Sequence, residues 1–220
     1  MKVLEAIRKR RSIRKFKDTQ LSEKQVRRLI EAARLAPSGS NVQPWRFIIV
    51  KDKDLKSKLR KASFNQEFVE SAAVVIVCCG DLVSWKRTRK QVQGVLRRGD
   101  IKLGDEAEKE LMKRNIRAAS AEMRKRIPTT ILNVAIATEH IVLEAVELGL
   151  ASCWVRLFDE KKIKKLLDLP EHLYVVALLP IGVPDEDPDP RPRLSSSAII
   201  VANKRALAER VPYCKYGCNQ

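Results

Sequence analysis

The amino-acid sequence predicts an α+β fold, with helices packed against a mixed or antiparallel β-sheet. Helical and strand patterns alternate along the chain, but without the regular strand–helix rhythm of a doubly wound parallel sheet. The 220 residues show no internal repeat, and 45% of them are hydrophobic. A chain of this length and composition is expected to form one domain, over 1–220, with a substantial core.

The first third of the chain predicts two helices, a loop and a strand. Three apolar residues at helical spacing indicate a short first helix. The second helix begins with a capping box, in which Ser22 is the N-cap and Gln25 follows three residues later. Pro37 ends that helix, so the polar segment 37–44 is a loop and the apolar segment 45–50 a strand. The three apolar residues of the first helix are Val3, Leu4 and Ile7.

The strongest helical pattern covers 129–148, with Pro128 at its start and Gly149 at its end. The stretch 85–126 is long and highly charged, and we expect a mostly helical, lid-like insertion there. Residues 204–220 form a C-terminal tail. The remaining predictions are one or two short helices over 53–70, strands over 74–78, 151–155, 174–181 and 198–202, and a helix over 159–167.

The charge of the chain is strongly positive. It carries 44 Lys and Arg against 27 Asp and Glu, a net charge of +17. Such an excess attracts polyanions and steers phosphorylated ligands toward the surface, so a nucleic acid, a phosphate-bearing cofactor and a basic proteome all stay open. No aromatic residues are interleaved with the basic clusters, and no helix-turn-helix or RNP-like pattern is present. Nucleic-acid binding is therefore the weaker interpretation.

No segment predicts secretion or a membrane span. The longest apolar run, 72–80, is far shorter than the roughly 20 residues that cross a bilayer, and the N-terminus lacks the apolar stretch of a signal peptide. We therefore expect a cytoplasmic protein with reduced cysteines.

The cysteines do not predict a metal site. Cys214 and Cys218 are half of a four-ligand set, and Cys78 and Cys79 point to opposite faces of a strand. A metal shared between two tails and a redox-active dithiol are the alternatives to an inert tail.

Two polar segments have the chemistry of a binding site. The first places three arginines and a hydroxyl within five residues, and guanidinium groups match phosphate oxygens in geometry and charge. The second is the loop 37–44, where small residues allow a ligand to approach the backbone and polar side chains offer donors and acceptors. A solvated basic face and a plain connection are the respective alternatives. The residues of the first segment are Arg10, Arg11, Ser12 and Arg14.

Two further segments are weaker signals. Residues 149–154 turn from the longest helix into a strand through small residues, which would let a flat ring lie against the main chain; a glycine C-cap before a buried strand is the alternative. The proline-rich loop 182–194 ends in Arg191 and Arg193, which could point together at one anion.

Together these segments resemble the nitroreductase family of flavoproteins. The resemblance rests on RRSIRKF at 10–16, APSGSNVQPWRFIIV at 36–50, GLASCW at 149–154 and the later Gly-x-Pro with its two arginines. The motifs occur in the family's order and cover nearly the whole chain. The first two are fairly specific in combination.

The resemblance implies an intertwined homodimer with two FMN molecules at its interface. It assigns the phosphate, ribityl chain and pyrimidine edge to the first segment, and Arg191 and Arg193 complete the phosphate site. It places the loop of the second subunit beside the ring and the ribityl group, and the backbone of Val155 and Arg156 near the flavin N5. The loop residues concerned are Pro37, Ser38, Ser40 and Gln43.

The implied reaction is reduction of a nitroaromatic, quinone or related small acceptor by NADH or NADPH, in a ping-pong mechanism. The flavin N5 carries the hydride, so no catalytic side chain is expected, and His140, within the long helical pattern, is expected to be structural. The stretch 85–126 is richer in Lys and Arg than the family leads one to expect. Dehalogenation, flavin fragmentation and azoline oxidation are therefore alternative reactions. Turnover without NAD(P)H would separate flavin destruction and substrate oxidation from ordinary reduction.

Overall fold

The structure is a computed structural model that describes residues 1–84 and 123–195, together with the isolated positions 94, 97, 104–107, 109 and 199. The chain divides into two compact units, Met1–Pro188 and Asp189–Gln220. The first unit contains the sheet and its helices. Most of the predicted insertion 85–126 and the whole tail 204–220 lie outside the described residues, so the predictions made for them stay predictions.

The described part of the chain forms a four-stranded antiparallel sheet in the order β1-β2-β4-β3. The central strand β2 is buried along its whole length, as its continuous apolar sequence indicates. It is three residues longer than predicted, because pairing with β4 continues past a bulge between Cys78 and Cys79. The strands are β1 (Trp45–Val50), β2 (Val74–Asp81), β3 (Ala151–Ser152) and β4 (Leu173–Gly182).

Helices cover both faces of this sheet. The helices are α1 (Val3–Lys9), α2 (Glu23–Arg34), α3 (Lys53–Ala62), α4 (Glu67–Ser71), α5 (Ile127–Glu147) and α6 (Glu160–Leu166). Residues of α2 and α5 share one hydrophobic core with Ile76 and Cys78, whereas residues of α3, α4 and α6 share another with Val77 and Cys79. The alternation of side chains along β2 therefore divides the interior into two cores.

Most predicted elements are confirmed. The capping box of α2 is complete: the Gln25 amide donates to Ser22 Oγ at 3.2 Å, and the Ser22 amide donates to Gln25 Oε1 at 2.9 Å. The predicted strand 151–155 is shorter than expected, since regular pairing stops at Ser152 and Val155 joins Leu178 through an isolated bridge.

The prediction of a strand over 198–202 is wrong at its one described position. Ile199 is helical, and its amide donates to the carbonyl of Ser195 at 3.3 Å. This bond reaches four residues back along the chain, which is the helical pattern and not that of a strand.

The helix α5 is the central helix of the fold. By length and composition it could cross a membrane, yet 44% of its most apolar window is buried inside the protein, as expected for a helix packed on a sheet. His140 on this helix lies with Nδ1 at 3.2 Å from the carbonyl oxygen of Ala32 on α2. This contact joins α5 to α2, which is a structural role.

The first helix differs from a typical amphipathic surface helix. The sequence places Val3, Leu4 and Ile7 on one face of α1, but all three side chains are exposed and Ala6 alone is buried in this helix. The apolar face of α1 therefore points away from the core of its own chain.

Candidate functional site

The arginine-rich segment adds an irregular strand to the edge of the sheet. The Ile13 amide donates to the Ser152 carbonyl at 3.1 Å, and the Lys17 amide donates to the Val183 carbonyl at 2.9 Å. Ser12 forms a parallel bridge with Ser152. Residues 12–17, which continue the arginine-rich segment 10–14, therefore lie between β3 and the residues that follow β4.

The guanidinium groups of this segment have no carboxylate partner among the described residues. Arg11 Nη1 donates to the carbonyls of Arg8 and Arg10, at 2.6 and 3.0 Å. Arg14 is exposed, and its guanidinium carbon lies 5.9 Å from the centroid of the Phe68 ring. The positive charges of this segment are thus held in place without being neutralised by a direct ion pair.

A carboxylate approaches the main chain of the segment instead. Glu186, just after β4, accepts hydrogen bonds from the amides of Arg14 and Lys15, the latter at 3.2 Å. Successive amides that converge on one point form a concavity for anions. The sequence pattern of the loop 182–194 pointed only to its two arginines and not to Glu186, although the run of acidic residues in this loop is visible in the sequence.

The motif 149–154 meets the same edge. Cys153 is 3% exposed, and burial raises the pKa of its thiol, with smaller contributions from Arg14, Glu186 and Arg10. The two guanidinium groups oppose the shift and the carboxylate adds to it. The two guanidinium groups and the carboxylate therefore lie close enough to Cys153 to act on its thiol.

The main chain of Val155 is used by the sheet. Its amide donates to the Leu178 carbonyl at 2.9 Å, and its carbonyl accepts from the Leu178 amide at 3.0 Å. Arg156 is exposed, and its guanidinium donates to the carbonyl of Val176. The predicted role of these two residues beside a ring stays a prediction.

A strained turn that was not predicted from the sequence is bonded to the main chain just after Arg156. Phe64 and Asn65 have positive φ angles of 56° and 58°. Gln66 fixes the turn, because its Nε2 donates to the Leu157 carbonyl at 2.9 Å and to the Ser63 carbonyl at 2.8 Å. Phe64 and Leu157 are both exposed. Strained conformations of non-glycine residues cluster at functional sites, so this turn is a candidate part of the site. No sequence pattern predicts it.

The loop 37–44 is also strained and well anchored. Ser40, Asn41 and Gln43 have positive φ angles of 50°, 53° and 49°. The Gly39 amide donates to Asn133 Oδ1 at 3.0 Å, and the Gln43 amide donates to Ser38 Oγ at 3.0 Å. Pro37 is exposed and Ser38 and Ser40 are half-buried, so the predicted residues are accessible.

Within one chain, this loop and the arginine-rich segment lie at opposite ends of α5. The loop is bound to Asn133 near the start of the helix. The arginine-rich segment is bonded through Ile13 to Ser152, which follows the end of the helix at Glu147. Asn133 and Glu147 are about 21 Å apart along the helix axis at 1.5 Å per residue. The structure therefore brings the arginine-rich segment together with the motif 149–154 but not with the loop.

Arg191 and Arg193 belong to the second unit, and both are exposed. Their predicted role at a phosphate stays a prediction. Among the described residues, no group of three or more metal-ligating side chains is found, and Cys214 and Cys218 lie outside those residues.

A solved structure shares the fold of this chain, and sequence relatives are similar to it over most of their length. The fold is similar to that of a nitroreductase from Exiguobacterium sibiricum solved in complex with FMN, with a TM-score of 0.74 at 24% identity over 92% of this chain and 98% of the other. An NADH dehydrogenase of Thermus thermophilus is 34% identical over 88% of this chain and 92% of its own length. An iodotyrosine deiodinase of Thermotoga neapolitana is 28% identical over 91% of this chain and 97% of its own length.

The model of the nitroreductase family matches residues 7–183. This match covers most of the chain, and the motifs at the sheet edge fall within it. The protein belongs to the nitroreductase family, which confirms the resemblance and the predicted α+β fold.

Proposed function

We propose that the protein is an FMN-dependent oxidoreductase that uses NADH or NADPH to reduce nitroaromatic, quinone or related small acceptors by a ping-pong mechanism. The observation that carries this proposal is the sheet edge where Arg10 and Arg14 flank Ser12 and Ser152. Two main-chain amides there already bind the Glu186 carboxylate.

The residues at this edge fit the anionic part of FMN. Arg10 and Arg14 lack a carboxylate partner among the described residues, and the Ser12 side chain is exposed beside them. Charge-assisted hydrogen bonds from guanidinium groups to phosphate are roughly twice as strong as neutral ones. The Glu186 carboxylate already occupies the amides of Arg14 and Lys15, so the guanidinium groups and the Ser12 hydroxyl are the groups left to bind the phosphate.

The neighbouring surface fits a flat aromatic ring. Phe64 and Leu157 both expose apolar surface, and Gln66 ties the turn at Phe64 to the main chain of Leu157. Bound FMN supplies the centre that accepts and donates hydride at N5. The chain then has to bind and orient it, and an obligatory general base is not needed, in keeping with a sequence that has only two histidines.

We further propose that the site is completed in a homodimer. Two α5 helices that pack antiparallel about a twofold axis would place the loop 37–44 of one chain beside the arginine-rich segment of the other. Each chain offers apolar surface for such packing, including a hollow of about 420 Å³ between α1, α2 and α5. The exposed apolar residues of α1, α2 and α5 and of the ends of these helices are Val3, Leu4, Ile7, Leu35 and Leu132.

The choice of reductant and acceptor rests on the relatives. The Thermus relative is named an NADH dehydrogenase, which favours NADH as reductant. The Thermotoga relative is named an iodotyrosine deiodinase, so reductive dehalogenation of a phenol is the alternative reaction. Cytoplasmic location and reduced cysteines are part of the same proposal.

An absorbance spectrum tests the cofactor and the reaction class together. The purified protein is examined as isolated, after addition of FMN, and then after NADH under argon. We expect bands at the visible maxima of flavin that bleach on NADH and return on a nitroaromatic or quinone. Return on a halogenated phenol alone would favour dehalogenation. A protein that stays colourless and does not bind added FMN would contradict the proposal.

A further inference from the structure

We propose that Glu186 is a positioning residue whose negative charge offsets the arginines of the segment 10–14 and so lowers the reduction potential of the FMN bound there. This inference rests on the proposed function, because it concerns the same site. It adds Glu186, which is not one of the residues predicted to contact the cofactor.

The geometry around Glu186 indicates that the carboxylate shapes the segment. Successive amides of an extended strand point in opposite directions, yet the amides of Arg14 and Lys15 both donate to the same oxygen, Glu186 Oε1. The backbone therefore curves around this carboxylate. The Asp185 amide donates to the Lys15 carbonyl at 3.0 Å, which closes the contact from the other side.

The charge of Glu186 lies next to the arginines along the main chain, because its carboxylate accepts a hydrogen bond from the amide of Arg14 itself. The pKa of the buried Cys153 thiol is raised first by burial, but it also responds to Arg14, Glu186 and Arg10. The buried Cys153 thiol is thus within electrostatic reach of both guanidinium groups and of the opposing carboxylate. Glu186 is half-buried, and water screens charges less there than at an exposed position.

The consequence for a bound flavin follows from its charge. Two-electron reduction adds negative charge at the pyrimidine edge of the ring, which nearby arginines stabilise. A carboxylate beside those arginines weakens their positive field. The reduced cofactor carries more negative charge, so it loses more stabilisation than the oxidised cofactor does. Removing the charge of Glu186 should therefore strengthen the binding of reduced FMN relative to oxidised FMN and raise the reduction potential.

Asp187 provides a matched control. It carries the same charge in the same loop, but it is exposed and its carboxylate makes no hydrogen bond or ion pair within the described part of the chain. Neutralising Asp187 changes the net charge equally without touching the amides of the segment. A difference between the two positions then reports on the placement of Glu186 and not on overall charge.

The test compares Glu186→Gln, Glu186→Ala and Asp187→Asn in the full-length FMN-loaded protein. Glutamine keeps an oxygen that can accept both amides but removes the charge, whereas alanine removes both. The reduction potential is measured by equilibration with a reference dye, and the dissociation constant of oxidised FMN by quenching of flavin fluorescence. Thermal unfolding checks that each variant is folded.

We expect Glu186→Gln to favour reduced over oxidised FMN by about tenfold, which corresponds to a rise of about 30 mV for a two-electron couple. Asp187→Asn should change this ratio by less than threefold. Glu186→Ala should in addition weaken the binding of oxidised FMN, since the curve of the backbone loses its acceptor.

A potential in Glu186→Gln that matches wild type or Asp187→Asn, while FMN still binds, would overturn the inference and leave the proposed function standing. Failure of the wild-type protein itself to bind FMN would overturn the proposed function and this inference with it.

Discussion

The amide of Gly39 donates to Oδ1 of Asn133 at 3.0 Å, across 94 positions of the chain. Asn133 is only 4% exposed, and its Nδ2 donates to the Thr129 carbonyl at 2.7 Å. One buried amide side chain therefore joins the strained loop 37–44 to the first turns of α5. The loop keeps three positive φ angles, and this anchor is among the interactions that maintain them.

Replacing Asn133 by alanine should release the loop. The Gly39 amide loses its acceptor, and we expect a loss of about 1–3 kcal/mol in the free energy of unfolding together with weaker FMN binding. Urea unfolding and a fluorescence titration with FMN measure the two effects. Thr138→Val is the control, because Thr138 is buried on the same helix and its Oγ1 donates to the Val134 carbonyl at 2.8 Å. Equal FMN affinity in the two variants would show that the loop does not contact the cofactor.

Arg14 and Arg193 are both predicted to bind the phosphate of FMN. Arg14→Ala and Arg193→Ala should each weaken FMN binding by about 1.5–3 kcal/mol, because each removes a charge-assisted hydrogen bond. Arg27→Ala is the matched control, since Arg27 is exposed on α2 and is not among the predicted cofactor contacts. If flavin occupancy is unchanged in Arg14→Ala and Arg193→Ala, the assignment of the phosphate site is wrong.

The dimer is tested on the outer face of α5. Leu132 is 62% exposed there, and a glutamate at this position would bury an unpaired charge in the proposed interface, which is strongly unfavourable. We expect Leu132→Glu to be monomeric by light scattering and to bind FMN at least tenfold more weakly. Lys61→Glu, on α3 at the other face of the sheet, adds an acidic group without reaching the interface. A dimeric Leu132→Glu variant with normal FMN affinity would exclude this face.

The close contact of β2 with α5 is tested at Gly80. A Cβ added to Gly80 would overlap Cγ2 of Thr130, and overpacking of this kind costs about 1–3 kcal/mol. Gly80→Ala should therefore unfold at lower urea concentration, and adding Thr130→Ser, which removes Cγ2, should restore part of the loss. Gly104→Ala is the control, because its Cβ would meet nothing within 4 Å. No recovery in the double variant would locate the strain elsewhere.

Local sequence signals predicted those elements whose causes are local. The capping box of Ser22 and Gln25 depends on two residues three positions apart, and the strand 45–50 on a short apolar run, so both were found with correct bounds. The exposed apolar face of α1 could not be foreseen, because the pattern that marks a buried face is the same whether the partner is the chain's own core or another surface.

The sequence could suggest candidate site residues only where neighbouring residues of one segment share a recognisable chemistry. Arg10 to Arg14 have a visible charge pattern, but Glu186 matters through a contact across more than 170 positions. The turn at Phe64 and Asn65 likewise takes its place from a hydrogen bond between Gln66 and Leu157. Tertiary contacts of this kind leave no periodicity in the sequence.

The thiols in the centre of the sheet should make stability depend on pH in the alkaline range. Burial raises the pKa of Cys78 to about 12 and that of Cys79, mainly through burial, also to about 12. In the unfolded chain a thiol titrates near 8.5–9. Below that range both states are protonated, so these groups do not change the free energy of unfolding. Between about pH 9 and 12 the unfolded chain loses these protons while the folded protein keeps them, and stability falls as the pH rises.

The expected slope is up to about 1.4 kcal/mol per pH unit for each thiol. Urea unfolding of wild type and Cys78→Ala under reducing conditions measures it at pH 7, 8, 9.5 and 10.5. The variant starts from a lower stability because of the cavity it leaves, but its stability should fall less steeply above pH 9, by the contribution of one thiol. Between pH 7 and 8 the two should run parallel, which is the internal control. Identical slopes above pH 9 would mean that Cys78 ionises in the folded protein. Water would then enter the core that α2 and α5 form with Ile76 and Cys78.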